Sequence, residues 1–485
     1  MAAFGTSGLR GLVEELDDRL VYRYVRAFLR YLEDLREFAP GSEAILGGDL
    51  RPSTPAILEA AWAAVDDAGG EPRFAGYLPT PALALAGFTR KVPSLMVTGS
   101  HIPFDRNGIK FNRVQGELGK ADEAGILAHL AAVPEPERDG RGALRHRPVL
   151  PAPESSFTLD YLRRYRDCLD SRALAGLRIG IYQHSGVARD LLETLLAGFG
   201  AQIIPLGRTE DFVPMDTEAL RAEDRERAAR WVRMHALDAL VSTDGDADRP
   251  MLADECGNWW RGDLLGLVSA RILAADAVVT PVSSNTALER SGFFAHVLRT
   301  RIGSPYVIAA MDEARAQGYQ RIVGYEANGG LLLGSEIPWE KGRLAALPTR
   351  DAVLPLLAVL REARRREQPL SSLLDTLPQR FTSSDRLQDF PTEVSHRRLQ
   401  RYRAADGRAL FGRDFGDLCG GEPLRLDHSD GVRAFFASGD ILHLRPSGNA
   451  PELRCYTEAD SVTRAEALLQ GALTRLARWR QPEEA

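Results

Sequence analysis

The sequence predicts an α/β protein of several domains that ends in a smaller α+β domain. Three consecutive segments alternate apolar strands with amphipathic helices, and their strands run into loops that contain glycine. From about Phe381 the pattern changes to closely spaced strands followed by one helix. The chain has 485 residues, which is too long for a single core and suggests three or four domains.

The first segment shows its rhythm most clearly. Apolar residues at helical spacing predict a helix over 22–38, and an Ala-rich stretch predicts another over 55–68. A short apolar strand is predicted over 94–97. The segment then ends in a stretch rich in Pro and Arg, residues 134–154, which we interpret as a linker.

The later segments repeat the alternation of strands and helices. In the second, strands are predicted over 177–183, 201–207 and 236–242, with a helix over 187–198. The third is expected to contain strands within 277–285, 300–305 and 321–330. The last predicted helix, residues 462–479, closes the α+β domain.

Composition gives no reason to expect several classes of partner. The net charge of −6 gives no electrostatic reason to expect nucleic acid or an anionic membrane. No apolar run approaches the roughly 20 residues that span a bilayer, and the start of the chain lacks a leader pattern, so we expect a cytoplasmic protein.

The four scattered cysteines are predicted to be buried, reduced thiols: Cys168, Cys256, Cys419 and Cys455.

A polar loop follows the strand of residues 94–97 and carries a candidate nucleophile. Ser100 lies at the carboxyl end of that strand, where α/β proteins place their ligands. A free serine hydroxyl needs a base, a metal or fixed positive charge to react, and His101 and Lys110 are close in sequence. Taken alone, the motif is better explained by ordinary turn residues.

The stretch STDGDADRP predicts a metal site. Asp244, Asp246 and Asp248 alternate with small residues, a spacing that can bring several carboxylates around one hard cation. Carboxylates this close repel one another unless they are paired or bound to metal. The alternative is a solvated acidic turn. Arg249, which follows directly, suits an anionic ligand.

The stretch LRPSGNAPELRCYTEA, residues 444–459, predicts a phosphate cradle. Its backbone amides are joined by hydroxyl, amide and guanidinium donors, and arginine matches phosphate oxygens with a two-pronged fork. The candidates are Arg445, Ser447, Gly448, Asn449 and Arg454. A charged hairpin without a ligand is the alternative.

The stretch GYEANGG, residues 324–330, offers one acid and one amide within a glycine-rich turn. Glu326 and Asn328 could hold sugar hydroxyls, and the glycines allow the backbone to approach a ligand closely. The alternative is an ordinary Gly/Asn turn.

Together these four stretches resemble the α-D-phosphohexomutase family, in particular its bacterial phosphomannomutase/phosphoglucomutase members. The resemblance extends from FGTSGLRG to RPSGNAPELRCYTEA and so covers nearly the whole chain. It implies four domains around a central cleft, the first three being similar α/β units with mixed sheets and the fourth a smaller α+β domain. The expected domains are 1–150 for the phosphoserine, 151–255 for the metal, 256–375 for the sugar and 376–485 for the phosphate.

The resemblance also implies a role for each candidate residue. Ser100 would carry the phosphate that is transferred, flanked by His101 and by Lys110 as a proton carrier, with Arg10 and Arg249 nearby. Mg²⁺ would be held by Asp244, Asp246, Asp248 and the phosphate on Ser100. The residues expected to contact the substrate are Glu326, Asn328, Gly303, Arg445, Ser447, Gly448, Asn449 and Arg454.

Several positions depart from the family pattern. Ile102 stands where many members have Asn, Asn328 replaces Ser, and Asn449 with Ala450 replaces a common Thr-Glu pair. Gly330 lies where some bacterial members have a His implicated in proton transfer. The general base of one half-reaction is therefore left open.

The resemblance implies a phosphohexomutase that interconverts a hexose 1-phosphate and a hexose 6-phosphate, with mannose, glucose or both as the sugar. The expected cofactors are Mg²⁺ and a hexose 1,6-bisphosphate, which is also the intermediate. The expected partner is a small phosphosugar, and the protein is expected to be a monomer or homodimer. Two alternatives stay open: a phosphoglucosamine mutase, and a non-catalytic phosphosugar-binding protein.

Overall fold

A computed structural model describes residues 3–5, 8–137, 139, 144–145, 148–447 and 451–480. The chain forms two compact units. The first comprises Met1–Val278 with Gly303–Asp375, and the second comprises Val279–Ile302 with Thr376–Ala485. Residues 279–302 therefore belong to the same unit as the C-terminal part of the chain.

The first unit begins with a mixed sheet of seven strands. The strands are β1 (Ala3–Gly5), β2 (Gly8–Leu12), β3 (Glu43–Gly48), β4 (Glu71–Tyr77), β5 (Ser94–Val97), β6 (Arg106–Arg113) and β7 (Gly116–Glu117). Their order is β1-β2-β6-β5-β3-β4, with β7 beside β6. Strand β3 is parallel to β4 and β5, whereas β6 is antiparallel to β5 and β2. The predicted strand β5 is thus an interior strand.

Four helices accompany this sheet: α1 (Asp18–Asp34), α2 (Thr54–Asp66), α3 (Thr80–Arg90) and α4 (Lys120–Leu130). Helix α1 begins earlier than predicted because the Asp17 side chain accepts a hydrogen bond of 2.7 Å from the Leu20 amide and caps the helix. The apolar stripe that predicted this helix is buried.

A second mixed sheet of four strands follows in the same unit. Its strands are β8 (Arg178–Tyr182), β9 (Gln202–Leu206), β10 (Ala239–Thr243) and β11 (Pro250–Ala253), in the order β11-β10-β8-β9. The helices are α5 (Ser156–Arg166), α6 (Arg189–Gly198), α7 (Ala222–His235) and α8 (Gly262–Ile272). Strand β10 begins later than predicted because Ala236, in a left-handed conformation, ends α7 first.

The third part of the chain is shared between the two units. Its elements are β12 (Ala277–Pro281), α9 (Ala287–Arg290), β13 (His296–Thr300), α10 (Ser304–Ala316), β14 (Ile322–Tyr325), β15 (Leu331–Leu333), β16 (Ile337–Trp339), β17 (Gly342–Leu344), β18 (Leu347–Asp351) and α11 (Val353–Arg366). Strand β15 pairs antiparallel with β14 and with β18. Strands β16 and β17 form a separate hairpin.

The second unit ends in an antiparallel sheet of five strands. Its elements are β19 (Phe381–Leu387), α12 (Thr392–Gln400), α13 (Gly407–Cys419), β20 (Arg425–Asp427), β21 (Val432–Phe435), β22 (Ile441–Pro446), β23 (Leu453–Ala459) and α14 (Val462–Arg478). The strand order is β19-β23-β22-β21-β20. This is the α+β domain that the change of pattern near Phe381 predicts.

Two further expectations can be compared with the structure. Cys168, Cys419 and Cys455 are buried as predicted, but the prediction is wrong for Cys256, which is exposed in the turn after β11. No helix in the described part of the chain is long and apolar enough to cross a membrane.

Candidate active site

The candidate nucleophile lies at the buried start of a loop, in a strained backbone conformation. We call residues 98–105, which leave the carboxyl end of β5, the serine loop. Ser100 is buried and adopts a left-handed backbone conformation with φ of 53°. Its amide donates to Thr98 Oγ1 at 2.7 Å, and its Oγ donates to Asp244 Oδ2 at 2.6 Å. A non-glycine residue in this conformation is uncommon and is typical of functional sites.

Arg51, which the sequence analysis did not identify, holds the backbone of the serine loop through hydrogen bonds. Its side chain is fully buried and donates to backbone carbonyls of the loop and its exit at 2.6–2.9 Å: those of Ser100, Ile102, Pro103 and Arg106. It is also 3.2 Å from Asp49 Oδ2. A Cβ at Gly99 would lie 2.6 Å from Arg51 Cζ, so glycine is required there.

The predicted metal ligands are brought together. We call residues 244–249, between β10 and β11, the aspartate loop. One carboxylate oxygen from each of Asp244, Asp246 and Asp248 lies within 4.8 Å of the others, and all three residues are buried. Gly245 is needed because a Cβ there would lie 2.7 Å from the Ser100 carbonyl oxygen.

Two oxygens of this cluster fit a cation. Oδ1 of Asp246 and Oδ1 of Asp248 are buried and accept no hydrogen bond from any described residue. Buried carboxylate oxygens need donors or a metal, and hard divalent cations prefer such oxygens. The residues present therefore suit a Mg²⁺-like ion, and they exclude the alternative of a solvated acidic turn.

Lys110 holds the opposite oxygens of the same carboxylates. Its Nζ, carried by β6, lies 2.6 Å from Asp246 Oδ2 and 2.6 Å from Asp248 Oδ2. Burial alone would lower the pKa of Lys110, but the two carboxylates outweigh burial and raise it. Thr80 Oγ1 also donates to Asp246 Oδ2, at 2.5 Å. Helix α3 begins at Thr80 and so helps to orient the aspartate loop.

Neighbouring charges shift the pKa values of Asp244 and Asp248 in opposite directions, although burial acts in the same direction on both. Burial, together with the charges of Asp246 and Asp248, raises the pKa of Asp244 well above its ordinary value. Burial would also raise the pKa of Asp248, but Arg350, Lys110 and Arg249 outweigh it and hold the pKa low. A cation bound between these carboxylates would relieve their mutual repulsion.

Cationic side chains surround the serine and aspartate loops. Arg249 Nε lies 3.8 Å from Asp244 Oδ2 and 3.7 Å from Asp248 Oδ1. Burial, followed by repulsion from Arg249 and Arg350, lowers the pKa of Arg10 to about 10.

His101 lies beside the same arginines. Its Nδ1 is 3.3 Å from Ser100 Oγ. Burial and the neighbouring arginines Arg249 and Arg10 lower the pKa of His101 well below 6.5, which favours a neutral ring. The sequence neighbours Ser100 and His101 are thus also neighbours in the site.

Residues 326–330, which we call the glycine loop, connect β14 to its antiparallel neighbour β15. Glu326 is buried, its amide donates to the Gly330 carbonyl at 3.1 Å, and its carbonyl accepts from the Gly329 amide at 2.9 Å. Asn328 Oδ1 accepts from the Gly330 amide at 2.9 Å. The amide oxygen expected to meet a sugar hydroxyl therefore stabilises the turn, which leaves the Asn328 Nδ2 as the group that can meet a ligand.

Arg350, at the end of β18, is a second residue that sequence reasoning missed. Its Nη1 lies 2.9 Å from Glu326 Oε2, and its Nη2 lies 2.8 Å from Asp248 Oδ2. This one side chain therefore joins the aspartate loop to the glycine loop. The available signal was a lone Arg-Asp pair closing a short strand, which is too common to single out a site.

Gly303 directly precedes α10 as its N-cap residue and has a φ of 133°, a conformation that favours glycine. The next residue, Ser304, donates from Oγ to Glu117 Oε2 at 2.6 Å, and Thr349 donates to Glu117 Oε1 at 2.6 Å. Glu117 thus links the strand before Arg350 to the start of α10.

The predicted phosphate cradle belongs to the second unit. Arg445 and Arg454 are directly paired across β22 and β23, and the Ser447 amide donates to the Glu452 carbonyl at 2.8 Å. Arg445 Nε lies 2.9 Å from Asp430 Oδ1. Arg454 Nη2 lies 3.4 Å from Glu452 Oε2, so each of the two arginines has a carboxylate partner. Gly448 and Asn449 lie outside the described residues.

An α/β fold that carries a buried serine, a carboxylate cluster and cationic side chains at strand ends is of the kind that suits phosphoryl transfer. The sequence models of the alpha/beta/alpha domains I, II and III of the phosphoglucomutase/phosphomannomutase family match this chain. They match residues 1–137, 159–257 and 261–381, respectively. The model of the family's C-terminal domain matches 393–473. The chain belongs to this family, which confirms the predicted resemblance, fold class and mutase activity.

Individual relatives agree with this assignment. The chain is 47% identical to a phosphomannomutase of Sinorhizobium fredii, with 98% of each chain covered. It is 43% identical to a phosphomannomutase of Salmonella muenchen, covering 98% of this chain and 95% of that one. A phosphoglucosamine mutase of Anaeromyxobacter dehalogenans is 28% identical, with 98% of each chain covered.

Solved structures show the same fold at lower identity. A phosphoglucomutase/phosphomannomutase family protein from Burkholderia thailandensis matches with a TM-score of 0.74 at 17% identity, covering 99% of this chain and 98% of that one. The phosphoglucomutase parafusin from Paramecium matches with a TM-score of 0.69 at 16% identity, covering 98% and 94%.

Proposed function

We propose that this phosphohexomutase interconverts mannose 1-phosphate and mannose 6-phosphate. The observation that carries the mechanism is the contact of 2.6 Å between Ser100 Oγ and Asp244, beside two carboxylate oxygens without donors. The names of the relatives at 47% and 43% identity support mannose phosphate as the substrate.

In the proposed reaction Ser100 carries a phosphate. The bond between phosphorus and Ser100 Oγ breaks, and phosphorus bonds to the free hydroxyl oxygen of the sugar phosphate. The proton of that hydroxyl leaves to a nearby base, and Ser100 Oγ takes up a proton to become a hydroxyl again. The product is a mannose 1,6-bisphosphate. After the sugar is reoriented, the bond between the other phosphate and its sugar oxygen breaks and that phosphorus bonds to Ser100 Oγ. The serine hydroxyl gives its proton to a nearby base, and the sugar oxygen takes up a proton.

Asp244, Asp246 and Asp248 are proposed to hold Mg²⁺ together with the phosphate on Ser100. When bound, the ion would neutralise charge on the phosphoryl group during transfer. The protein contributes the orientation, because Thr80 and Lys110 engage Oδ2 of Asp246 and leave its Oδ1 without a donor.

The cationic residues have complementary proposed roles. Arg10 and Arg249 stabilise negative charge on the transferring group, since buried, preoriented donors are effective where charge develops. Lys110 is proposed to carry the proton of one half-reaction. His101, close to Ser100 Oγ, is proposed to orient that oxygen.

The remaining residues are proposed to bind the substrate. Glu326, Asn328 and Gly303 would contact the sugar, which the buried carboxylate and the amide group of the glycine loop support. Arg445, Ser447, Gly448, Asn449 and Arg454 would grip the phosphate that is not transferred. The paired arginines of β22 and β23 support this role.

The test compares substrates and the catalytic serine. With Mg²⁺ and a trace of hexose 1,6-bisphosphate, we expect turnover of mannose 1-phosphate with a kcat/KM above that for glucosamine 1-phosphate. The Ser100→Ala variant should lose turnover, whereas Ser155→Ala, at an exposed serine, should retain it. A higher kcat/KM for glucosamine 1-phosphate would favour the phosphoglucosamine alternative. Unchanged turnover by Ser100→Ala would refute the proposed chemistry.

A further inference from the structure

Arg350 is a buried guanidinium that contacts two loops at once. Its Nε and Nη2 lie 3.0 and 2.8 Å from Asp248 Oδ2, and its Nη1 lies 2.9 Å from Glu326 Oε2. Its side chain is 7% exposed, and those of Asp248 and Glu326 are 1% and 4% exposed. The planar fork of arginine can satisfy two carboxylates in this way, whereas a lysine ammonium cannot keep the same geometry.

We propose that Arg350 is a positioning residue that sets the orientation of the metal ligand Asp248 and the sugar ligand Glu326 together. The proposal rests on the proposed function of those two residues. It also assigns to Gly330 the role of leaving room for the Arg350 side chain.

The first step of the argument concerns Asp248. Its Oδ2 receives the Arg350 donors and Lys110 Nζ, whereas its Oδ1 receives none from the described residues. A carboxylate held by one oxygen presents the other in a defined direction. Partners that orient metal ligands in this way typically change metal affinity when they are removed.

The second step concerns Glu326. Arg350 engages Oε2, so the carboxylate cannot rotate without breaking a buried, charged hydrogen bond. The other oxygen, Oε1, is then the one that can accept from a sugar hydroxyl. Because one guanidinium holds both carboxylates, their spacing is set by a rigid plane rather than by two independent loops.

The third step concerns Gly330. A Cβ built at this residue would lie 2.7 Å from Arg350 Cδ, 2.8 Å from Cγ and 3.0 Å from Cβ. These are atoms of the stem, so the guanidinium could not stay in place. The Gly330 position where some family members have a His is here covered by Arg350, which explains the departure in physical terms.

The experiment uses the full-length protein and two readouts. The first is KM and kcat on mannose 1-phosphate. The second is the Kd for Mn²⁺, measured from the free-ion electron paramagnetic resonance signal of dephosphorylated protein, which needs no turnover. The variants are Arg350→Met, Arg350→Lys, Glu326→Gln and the double variant Arg350→Met with Glu326→Gln. Arg361→Met, at a partly buried arginine that pairs with Glu340, is the matched control.

We expect Arg350→Met to raise KM and to weaken Mn²⁺ binding, each by about tenfold. Glu326→Gln should raise KM and leave the Mn²⁺ Kd unchanged, and the double variant should have a KM no higher than that of Arg350→Met. Arg350→Lys should regain part of the Mn²⁺ affinity but not the KM. It also replaces Arg350→Met if that variant fails to fold. Arg361→Met should match the wild type in both readouts.

Two results would overturn the inference. One is a KM in the double variant equal to the product of the single effects, because Arg350 would then not act through Glu326. The other is wild-type KM and Mn²⁺ affinity in folded Arg350→Met and Arg350→Lys. If the wild type itself does not turn over mannose 1-phosphate, the proposed function fails, and the Mn²⁺ measurements still decide whether Arg350 orients Asp248.

Gly330→Ala provides an independent check. We expect it to raise KM toward the value of Arg350→Met. Added to Arg350→Ala, a further variant that removes the clashing Cγ and Cδ, it should change KM little relative to Arg350→Ala alone. A Gly330→Ala variant with unchanged KM and Mn²⁺ affinity would contradict the role assigned to this glycine.

Discussion

Arg51 Nη2 donates a hydrogen bond of 2.9 Å to the backbone carbonyl of Ser100. The candidate nucleophile is therefore held by its main chain, from a residue that precedes it by almost fifty positions, as well as by its hydroxyl contact with Asp244. This arrangement can stabilise a left-handed serine that would otherwise relax.

We predict that Arg51→Met destabilises the first unit and abolishes turnover. The change removes the donor of four backbone carbonyls and leaves the buried carboxylate of Asp49 without its charged partner, and breaking a buried ion pair typically costs about 3–5 kcal/mol. Urea denaturation monitored by circular dichroism measures the loss. Arg163→Met, at an exposed arginine paired with Asp160, is the control and should stay within about 0.5 kcal/mol of the wild type. Equal stability of both variants would contradict the role of Arg51.

We predict that Gly99→Ala lowers kcat by about a hundredfold, because displacement of a reacting group by 1 Å has effects of this size. The added Cβ would lie 2.6 Å from Arg51 Cζ and must displace either the guanidinium or the loop. Steady-state kinetics on mannose 1-phosphate check this. Gly198→Ala serves as the control, since a Cβ there makes only ordinary contacts from 3.6 Å. A kcat within twofold of the wild type would show that the loop tolerates the methyl group.

We predict that a chelator abolishes turnover and that added Mg²⁺ restores it. Asp246→Asn and Asp248→Asn should each weaken Mn²⁺ binding at least about tenfold, because each removes a charged ligand oxygen. Calorimetric titration of Mn²⁺ measures the affinity without turnover, and Asp160→Asn, at an exposed carboxylate, is the control. Turnover that persists after dialysis against the chelator would argue against the metal.

We predict a loss of stability of the second unit in mild acid. Burial lowers the pKa of His443 from 6.5 to about 4, although its hydrogen bond to the Asp430 carbonyl opposes the shift. The nearby charges of Arg433, Asp430 and Arg445 are smaller influences. The unfolded chain therefore binds a proton between these pKa values that the folded chain excludes. The contribution of the neutral His443 ring to the free energy of unfolding is therefore fully present above pH 6.5. About 2 kcal/mol of this contribution is lost between pH 7 and pH 5.

Urea denaturation at pH 7 and pH 5 tests this prediction by comparing the wild type with His443→Gln. The variant should show a pH dependence smaller by about 2 kcal/mol. His396→Gln, at an exposed histidine, should behave as the wild type. An equal pH dependence in all three proteins would mean that His443 does not titrate as its burial implies.

Local sequence determined most of the architecture. Strand β5 and the stripe that α1 buries follow from apolar periodicity, and the order of the four motifs is enough to indicate the family. The ends of helices and strands were less well predicted, because each depends on one residue. The Asp17 side chain caps the start of α1 with one hydrogen bond, and the left-handed conformation of Ala236 ends α7.

The exposure of Cys256 could not be predicted for a related reason. Scattered cysteines are most often buried, and nothing in the residues around Cys256 indicates that the turn after β11 carries its thiol to the surface. Burial depends on how complete elements pack, which a single position does not encode.

The sequence alone was enough to select Ser100, the aspartate triplet and the glycine loop as candidates, because each places reactive residue types directly after a strand. Only the tertiary structure decided how they act together. Arg51 and Arg350 lie far from the motifs they support, and their roles arise from the close approach of β3, β5, β10, β14 and β18, whose carboxyl ends carry the loops. A long side chain can contact two loops that the fold brings close together. The spacing of residues in the sequence does not show which loops these will be.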